Sequence, residues 1–188
     1  VCNVILPSFT SDLKGLNENA IRHDVRRNIE QGFWGALLVS ECGTDKDEMR
    51  QFMEIAVDEA KDDHNFLLHG TFDTADDIVA MAKVGESVGV DGLLLGHPNS
   101  FYPETEGALF DYLSYVCART DLAVCLFAAN HWNFTRLHPS GYPPEVLARM
   151  ADQDNVVAIK YEVGRPGIAG DFEFWKMVRD KRILFSDP

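Results

Sequence analysis

Lys160 closes the run Asn155-Val156-Val157-Ala158-Ile159-Lys160, and no other lysine in the sequence ends an apolar, strand-like segment. Lys14, Lys46, Lys61, Lys83, Lys176 and Lys181 all fall in stretches that read as loop or helix surface. Strand alternation predicts Val156, Ala158 and Lys160 on one face, with Val157, Ile159 and Tyr161 on the other. If the small-residue face lines an interior, the lysine is desolvated, which favours a neutral, nucleophilic amine. Such an amine condenses with a ketone or aldehyde, and the resulting iminium is an electron sink for breaking an adjacent bond. The plainer alternative is a lysine whose stem is packed and whose head reaches solvent.

The elements that would hold this lysine repeat along the chain. Consecutively apolar runs at 3–6, 36–40, 66–69, 92–95, 123–127, 156–160 and 183–185 predict parallel strands buried on both faces. Helical patterns lie between them. Asp45 precedes Lys46-Asp47-Glu48, Thr74 precedes Ala75-Asp76-Asp77, and Pro143-Pro144 opens Glu145 to Met150. Gly32-Phe33-Trp34-Gly35 is echoed by Gly89-Val90-Asp91-Gly92, each predicting a left-handed helix cap that turns straight into a strand. Strand starts fall roughly 30 residues apart, one βα unit per step. No G-x-G-x-x-G follows the first strand, where Leu6-Pro7-Ser8-Phe9-Thr10 stands, so a (β/α)8 TIM barrel is favoured over a doubly wound sheet. Eight units need about 250 residues. With 188, the expectation is one α/β domain over 1–188, a TIM barrel truncated after about seven strands. Its open strand edges predict that this segment alone is poorly soluble.

Functional groups of such a barrel gather at the C-terminal ends of the strands. There the sequence offers Ser8, Thr10, Ser40, Glu41, His69, Thr71, His97, Asn130, His131, Lys160 through Glu162, Ser186 and Asp187. His131, in Asn130-His131-Trp132-Asn133, is a good acid/base near neutral pH. The loops with Phe101-Tyr102 and with Trp132 and Phe134 predict either an aromatic substrate pocket or a subunit contact. Phe172, Phe174 and Trp175 read as core, and His23 and His64 as surface. His69, His97, His131, Glu41 and Asp187 are conceivable metal ligands, yet neither H-x-H on the first strand nor H-E-x-x-H occurs. The sequence thus predicts no metal and no cofactor.

Composition narrows the classes further. Seventeen Lys+Arg against 30 Asp+Glu give a formal net charge of −13, which repels nucleic acid and anionic lipid. No apolar run reaches the roughly 18 residues of a membrane span. The four cysteines, Cys2, Cys42, Cys117 and Cys125, form no C-x-x-C pair, and reduced thiols in a cytoplasmic protein are expected.

Several short matches share one source: Pro7 with Phe9 and Asp12, Gly32-x-x-Gly35, Glu48-x-x-x-Phe52, and His69-Gly70-Thr71 with Thr74. They continue through Gly89-Val90-Asp91-Gly92, Pro98, Leu126-Phe127 and Val157-Ala158-Ile159-Lys160. The sequence resembles the dihydrodipicolinate synthase and N-acetylneuraminate lyase family, the pyruvate-type class I aldolases and dehydratases on TIM barrels. The resemblance implies that Lys160 is a Schiff-base lysine, that the substrate is a 2-oxo acid, and that the protein is a dimer or tetramer. It also implies a longer chain with an eighth strand and a helical C-terminal extension. Departures accompany the matches. The family's Gly-Thr/Ser-Thr-Gly-Glu loop is replaced by Ser40-Glu41-Cys42-Gly43-Thr44, leaving Ser40 and Thr44 to supply hydroxyls. Phe127 stands where the family has a proton-relaying tyrosine, so His131, Tyr161 or Tyr102 must replace it, and Arg136 is a loose counterpart of a carboxylate-binding arginine. The expected site is therefore Lys160, His131 and Tyr161 in catalysis, with Ser40, Thr44, Phe127, Asn130, His97, Tyr102 and Trp132 around the substrate. A Schiff-base lyase is the leading function. A non-catalytic relative used for ligand binding or assembly, and a metal-dependent lyase or hydrolase, are the alternatives.

Overall fold

The computed structural model describes residues 2–163, 168–181 and 184–186. The strands are β1 (Cys2–Ile5), β2 (Gly35–Leu38), β3 (Asn65–Gly70), β4 (Gly92–Leu95), β5 (Ala123–Ala129), β6 (Val156–Glu162) and β7 (Leu184–Ser186). Between them run α1 (Glu18–Glu30), α2 (Lys46–Ala60), α3 (Ala75–Val88), α4 (Glu106–Cys117), α5 (Pro144–Met150) and α6 (Ile168–Val178). Among the described residues the strands form one parallel sheet in chain order, and each helix packs against the next. The sequence-predicted last strand began at Ile183; Ile183 and Asp187 lie outside the described residues.

Local signals act where the sequence places them. The Asp45 side chain accepts from the Glu48 backbone N–H, while the Glu48 carboxylate accepts from the Asp45 N–H, closing a capping box at α2. Thr74 caps α3 by accepting from the Asp77 N–H, without the reciprocal bond, and α3 stops at Gly89, whose φ of 100° favours glycine.

The two faces of the sheet meet different surroundings. Ile5, Ala36, Leu38, Phe66, Leu68, Leu93, Leu95, Val124, Leu126 and Ile159 are buried under the helices. Each of these side chains except that of Ala36 contributes roughly 1.5–3 kcal/mol on leaving water. The opposite face carries a smaller apolar cluster of Leu94, Phe127 and Ala129, with Leu37, Cys125 and Trp132 against it. On that face the rings of His69 in β3 and Phe127 in β5, two strands apart, approach to 6.3 Å between centroids. Non-adjacent strands thus approach across a concave interior, as in a half-barrel and unlike a doubly wound sheet. Val4 and Leu6, inward-facing on the β1 edge, are half exposed.

Three expectations are corrected. Pairing shifts register between Val124 and Cys125, and the bulge leaves Val157 exposed. Val156, paired with Val124, is therefore buried with the outer layer, and only from Ala158 onward do alternate residues face inward. On α6, Phe174 is buried and stacked on Tyr161, but Phe172 and Trp175 are exposed instead of belonging to the core. His64 is buried beside Phe66 instead of lying at the surface.

Close strand contacts give one stability prediction. A Cβ at Gly92 would stand 2.8 Å from the carbonyl oxygen of Ala123 on the neighbouring strand, which cannot yield without breaking the ladder. Gly92→Ala is expected to destabilise the fold by about 2 kcal/mol or more, read as a lowered urea midpoint with little change in slope.

Candidate active site

The inward side chains of β6 are Ala158, Lys160 and Glu162, and in register opposite them on β5 stand Cys125, Phe127 and Ala129. Lys160 is the one lysine on the inner face; the others lie on helices or loops. Its Nζ sits 4.5 Å from the centroid of the Phe127 ring and 3.1 Å from Glu162 Oε2. Its side chain is 35% exposed. The expected desolvation is therefore incomplete: packing covers the stem, while the ammonium faces a carboxylate and solvent at the open side. Glu162, itself partly exposed, forms this ion pair at the open rim.

His131 lies in the 3₁₀ turn Asn130–Trp132 that follows β5, with its ring 6.2 Å from that of Phe127 and 4.1 Å from that of Trp132. Trp132 stands edge-on to Phe127 at 5.2 Å and roofs the inner cluster. Asn130 is exposed at the start of the turn, where its carbonyl accepts from the Asn133 N–H. His69 of β3 also approaches Phe127, at 6.3 Å between ring centroids. Its Nε2 is 3.2 Å from Thr71 Oγ1, and its Nδ1 is 4.0 Å from Glu41 Oε2. Burial, with Lys160 and His131 nearby, lowers the His69 pKa to about 4.

Ser40 and Thr44 border a cleft of about 630 Å³ between the loops after β2 and β3, shared with Asp45, Lys46, Thr71 and Asp73. The Ser40 hydroxyl donates to the Thr71 carbonyl at 3.2 Å, and the Thr44 hydroxyl donates to the Ser40 carbonyl at 3.3 Å. Lys46 is ion-paired with Asp77, and the capping box already uses two N–H groups at the start of α2.

Three expected site residues lie elsewhere. Tyr161 points to the outer face, fully buried, with its hydroxyl near Ser140 Oγ at 3.3 Å and its ring against Phe174. One residue beyond Lys160 in a strand, it must face the opposite way. His97 is wholly buried among Phe101, Tyr112, Trp132, Phe134 and Tyr142, with Nε2 3.0 Å from the Tyr142 hydroxyl, so it organises core instead of lining a substrate pocket. Tyr102 is exposed and carries the Arg136 guanidinium over its ring at 3.6 Å. Arg136 is also committed to the Pro103 carbonyl at 2.6 Å. Phe101 and Phe134, expected at the mouth, join the His97 cage. Glu41, His69 and Thr71, expected at the strand ends without a catalytic role, come together here, and the i, i+2 spacing of His69 and Thr71 is the signal in the sequence that they share a neighbourhood. Among the described residues no three His, Cys, Asp or Glu side chains converge to hold a metal ion, and no helix is long and apolar enough to cross a membrane.

The sequence profile of the dihydrodipicolinate synthetase family matches residues 2–183. The chain belongs to that family. A 4-hydroxy-tetrahydrodipicolinate synthase of Methanopyrus kandleri is 26% identical, across 87% of this chain and 54% of its own length. The enzyme of the same name from Desulforamulus reducens is 30% identical, across 99% of this chain and 62% of its own. The N-acetylneuraminate lyase of Fusobacterium nucleatum, at 18% identity, superposes with a TM-score of 0.80 over 98% of this chain and 62% of that one. This member of the dihydrodipicolinate synthetase family thus spans 54–62% of the length of these relatives.

Proposed function

We propose that Lys160 forms a Schiff base with a small 2-oxo acid such as pyruvate, and that the chain carries the core of an aldolase- or dehydratase-type lyase. The observation that supports this reading most is the placement of Lys160: the one inward lysine of a parallel half-barrel, at a strand's C-terminal end, in a member of a family whose named relatives are synthases and lyases. Glu162 at 3.1 Å is the group to take the proton that the amine must lose before it attacks the carbonyl. His131, exposed and beside Phe127, exchanges protons with solvent as the carbinolamine loses water. Asp45 and Glu48 occupy the N-terminus of α2, so the substrate carboxylate is not received at that helix end; the cationic nitrogen on Lys160 is its electrostatic counterpart.

Incubation with pyruvate and borohydride, followed by peptide mass spectrometry, tests the reading. The expected result is a reduced pyruvyl adduct on the peptide containing Lys160. If a panel of 2-oxo acids leaves that peptide unmodified, the Schiff-base reading is wrong.

A further inference from the structure

We propose that Glu41, His69 and Thr71 form a proton relay serving the carbon adjacent to the Schiff base on Lys160; this inference rests on the Schiff-base reading above. The three groups stand in line. Thr71 Oγ1 is 3.2 Å from His69 Nε2, and the opposite ring nitrogen, Nδ1, is 4.0 Å from Glu41 Oε2. That Nδ1 is buried and lacks a hydrogen-bond partner, a costly state for a polar atom held only for packing. Glu41 is exposed in the loop after β2, within about an ångström of hydrogen-bonding distance, and catalytic hydrogen bonds often tighten only when substrate binds.

The hydroxyl end of the line is built with equal care. Ser40 Oγ donates to the Thr71 carbonyl and fixes that residue against β2, and Thr71 lines the cleft shared with Ser40 and Thr44. A Cβ at Gly96 would stand 2.6 Å from Thr71 Oγ1 and 3.1 Å from the Trp132 ring, so the position of this hydroxyl depends on glycine there. Phe127 carries no proton of its own but brings the parts together: Lys160 lies over its ring and His69 beside it.

The charges suit the task. Burial together with Lys160 and His131 keeps His69 neutral at pH 7, so with hydrogen on Nδ1 its Nε2 accepts from the Thr71 hydroxyl. In the forward step a C3–H of the iminium gives its proton to Thr71 Oγ1, whose own proton passes to His69 Nε2. The C3–H electron pair becomes the C=C bond, and the iminium nitrogen becomes a neutral enamine nitrogen. The cationic nitrogen that opposed a charge on His69 is thereby lost as the imidazolium forms, and Glu41, facing the Nδ1–H on the other edge of the ring, stabilises the imidazolium's positive charge. Reversal returns a proton to C3.

Two readouts separate the relay from the Schiff base itself. Borohydride trapping reports imine formation, whereas exchange of the pyruvate methyl protons in D₂O, followed by proton NMR, reports transfer at C3. His69→Gln and Thr71→Val are expected to slow exchange on the order of 100-fold while borohydride still traps an adduct on Lys160. Glu41→Gln should slow it about 10-fold, and Thr71→Ser, which keeps the hydroxyl, should restore most of the rate lost in Thr71→Val. Exchange at the parent rate in His69→Gln or Thr71→Val overturns the relay. A parent chain that traps pyruvate but never exchanges its methyl protons overturns the relay and leaves the Schiff base standing; one that traps nothing removes both.

Discussion

Replacing Lys160 with arginine is expected to lower turnover by on the order of 10³-fold or more and to eliminate the borohydride-trapped adduct, with circular dichroism and thermal midpoint close to those of the parent. Arginine keeps the positive charge opposite Glu162 and a long stem over Phe127, so the ion pair and the cation–π contact survive in kind. It cannot offer a neutral amine near pH 7. The variant therefore removes the covalent step and little else, which a truncation to alanine would not do. If Lys160 were only a rim lysine with its head in solvent, arginine would be nearly silent, and retention of even a tenth of the parent rate would exclude the amine as nucleophile.

The parts of this site differ in how plainly the sequence displays them. Lys160 was legible because a charge at the end of Val156-Val157-Ala158-Ile159 breaks an apolar run, and a break of that kind needs no partner to be noticed. The capping box of Asp45 with Glu48 and the left-handed stop at Gly89 were legible for a related reason, since each depends on residues three or four positions apart. The bulge between Val124 and Cys125 was not, because it is a property of two paired strands 32 positions apart (Val124 and Val156) and leaves no local trace. It misassigned the face of Val156 while leaving Lys160 correct, since alternation resumes at Ala158.

The histidines show the same division. His69 and His97 both follow apolar strands, and nothing within a few residues separates them. Long-range packing does: His69 faces the interior between Glu41 and Phe127, whereas His97 turns into a cage supplied by α4 and by the segment from Trp132 to Tyr142. Tyr161 failed as a proton carrier on parity alone, because a strand cannot present residues 160 and 161 to the same side. That parity is legible in the sequence itself, where Val157, Ile159 and Tyr161 alternate with Ala158 and Lys160.

His97 also sets an acid limit on the fold. It is fully buried, its Nδ1 has no partner, and burial reinforced by the nearby His131 lowers its pKa to about 3. The other polar groups facing it, the hydroxyls of Tyr142 and Tyr112, sit among aromatic rings that offer no counter-ion, and burial pushes both phenols further up, so they stay neutral. An unfolded histidine titrates near 6.5. Because the folded value lies below the unfolded one, the unfolded chain binds the proton first. The stability contributed by neutral His97 is then complete above pH 6.5 and is lost as pH falls toward 3. Each unit across that window costs roughly 1.4 kcal/mol, or about 3 kcal/mol between pH 6.5 and pH 4. His97→Gln keeps a hydrogen-bonding group for the Tyr142 hydroxyl but has no proton to gain. Urea unfolding at pH 7 and pH 4 should therefore show the parent losing about 3 kcal/mol more than the variant, since the carboxylates titrate in both. Equal losses in the two proteins would mean that the cage opens to water before it excludes the proton.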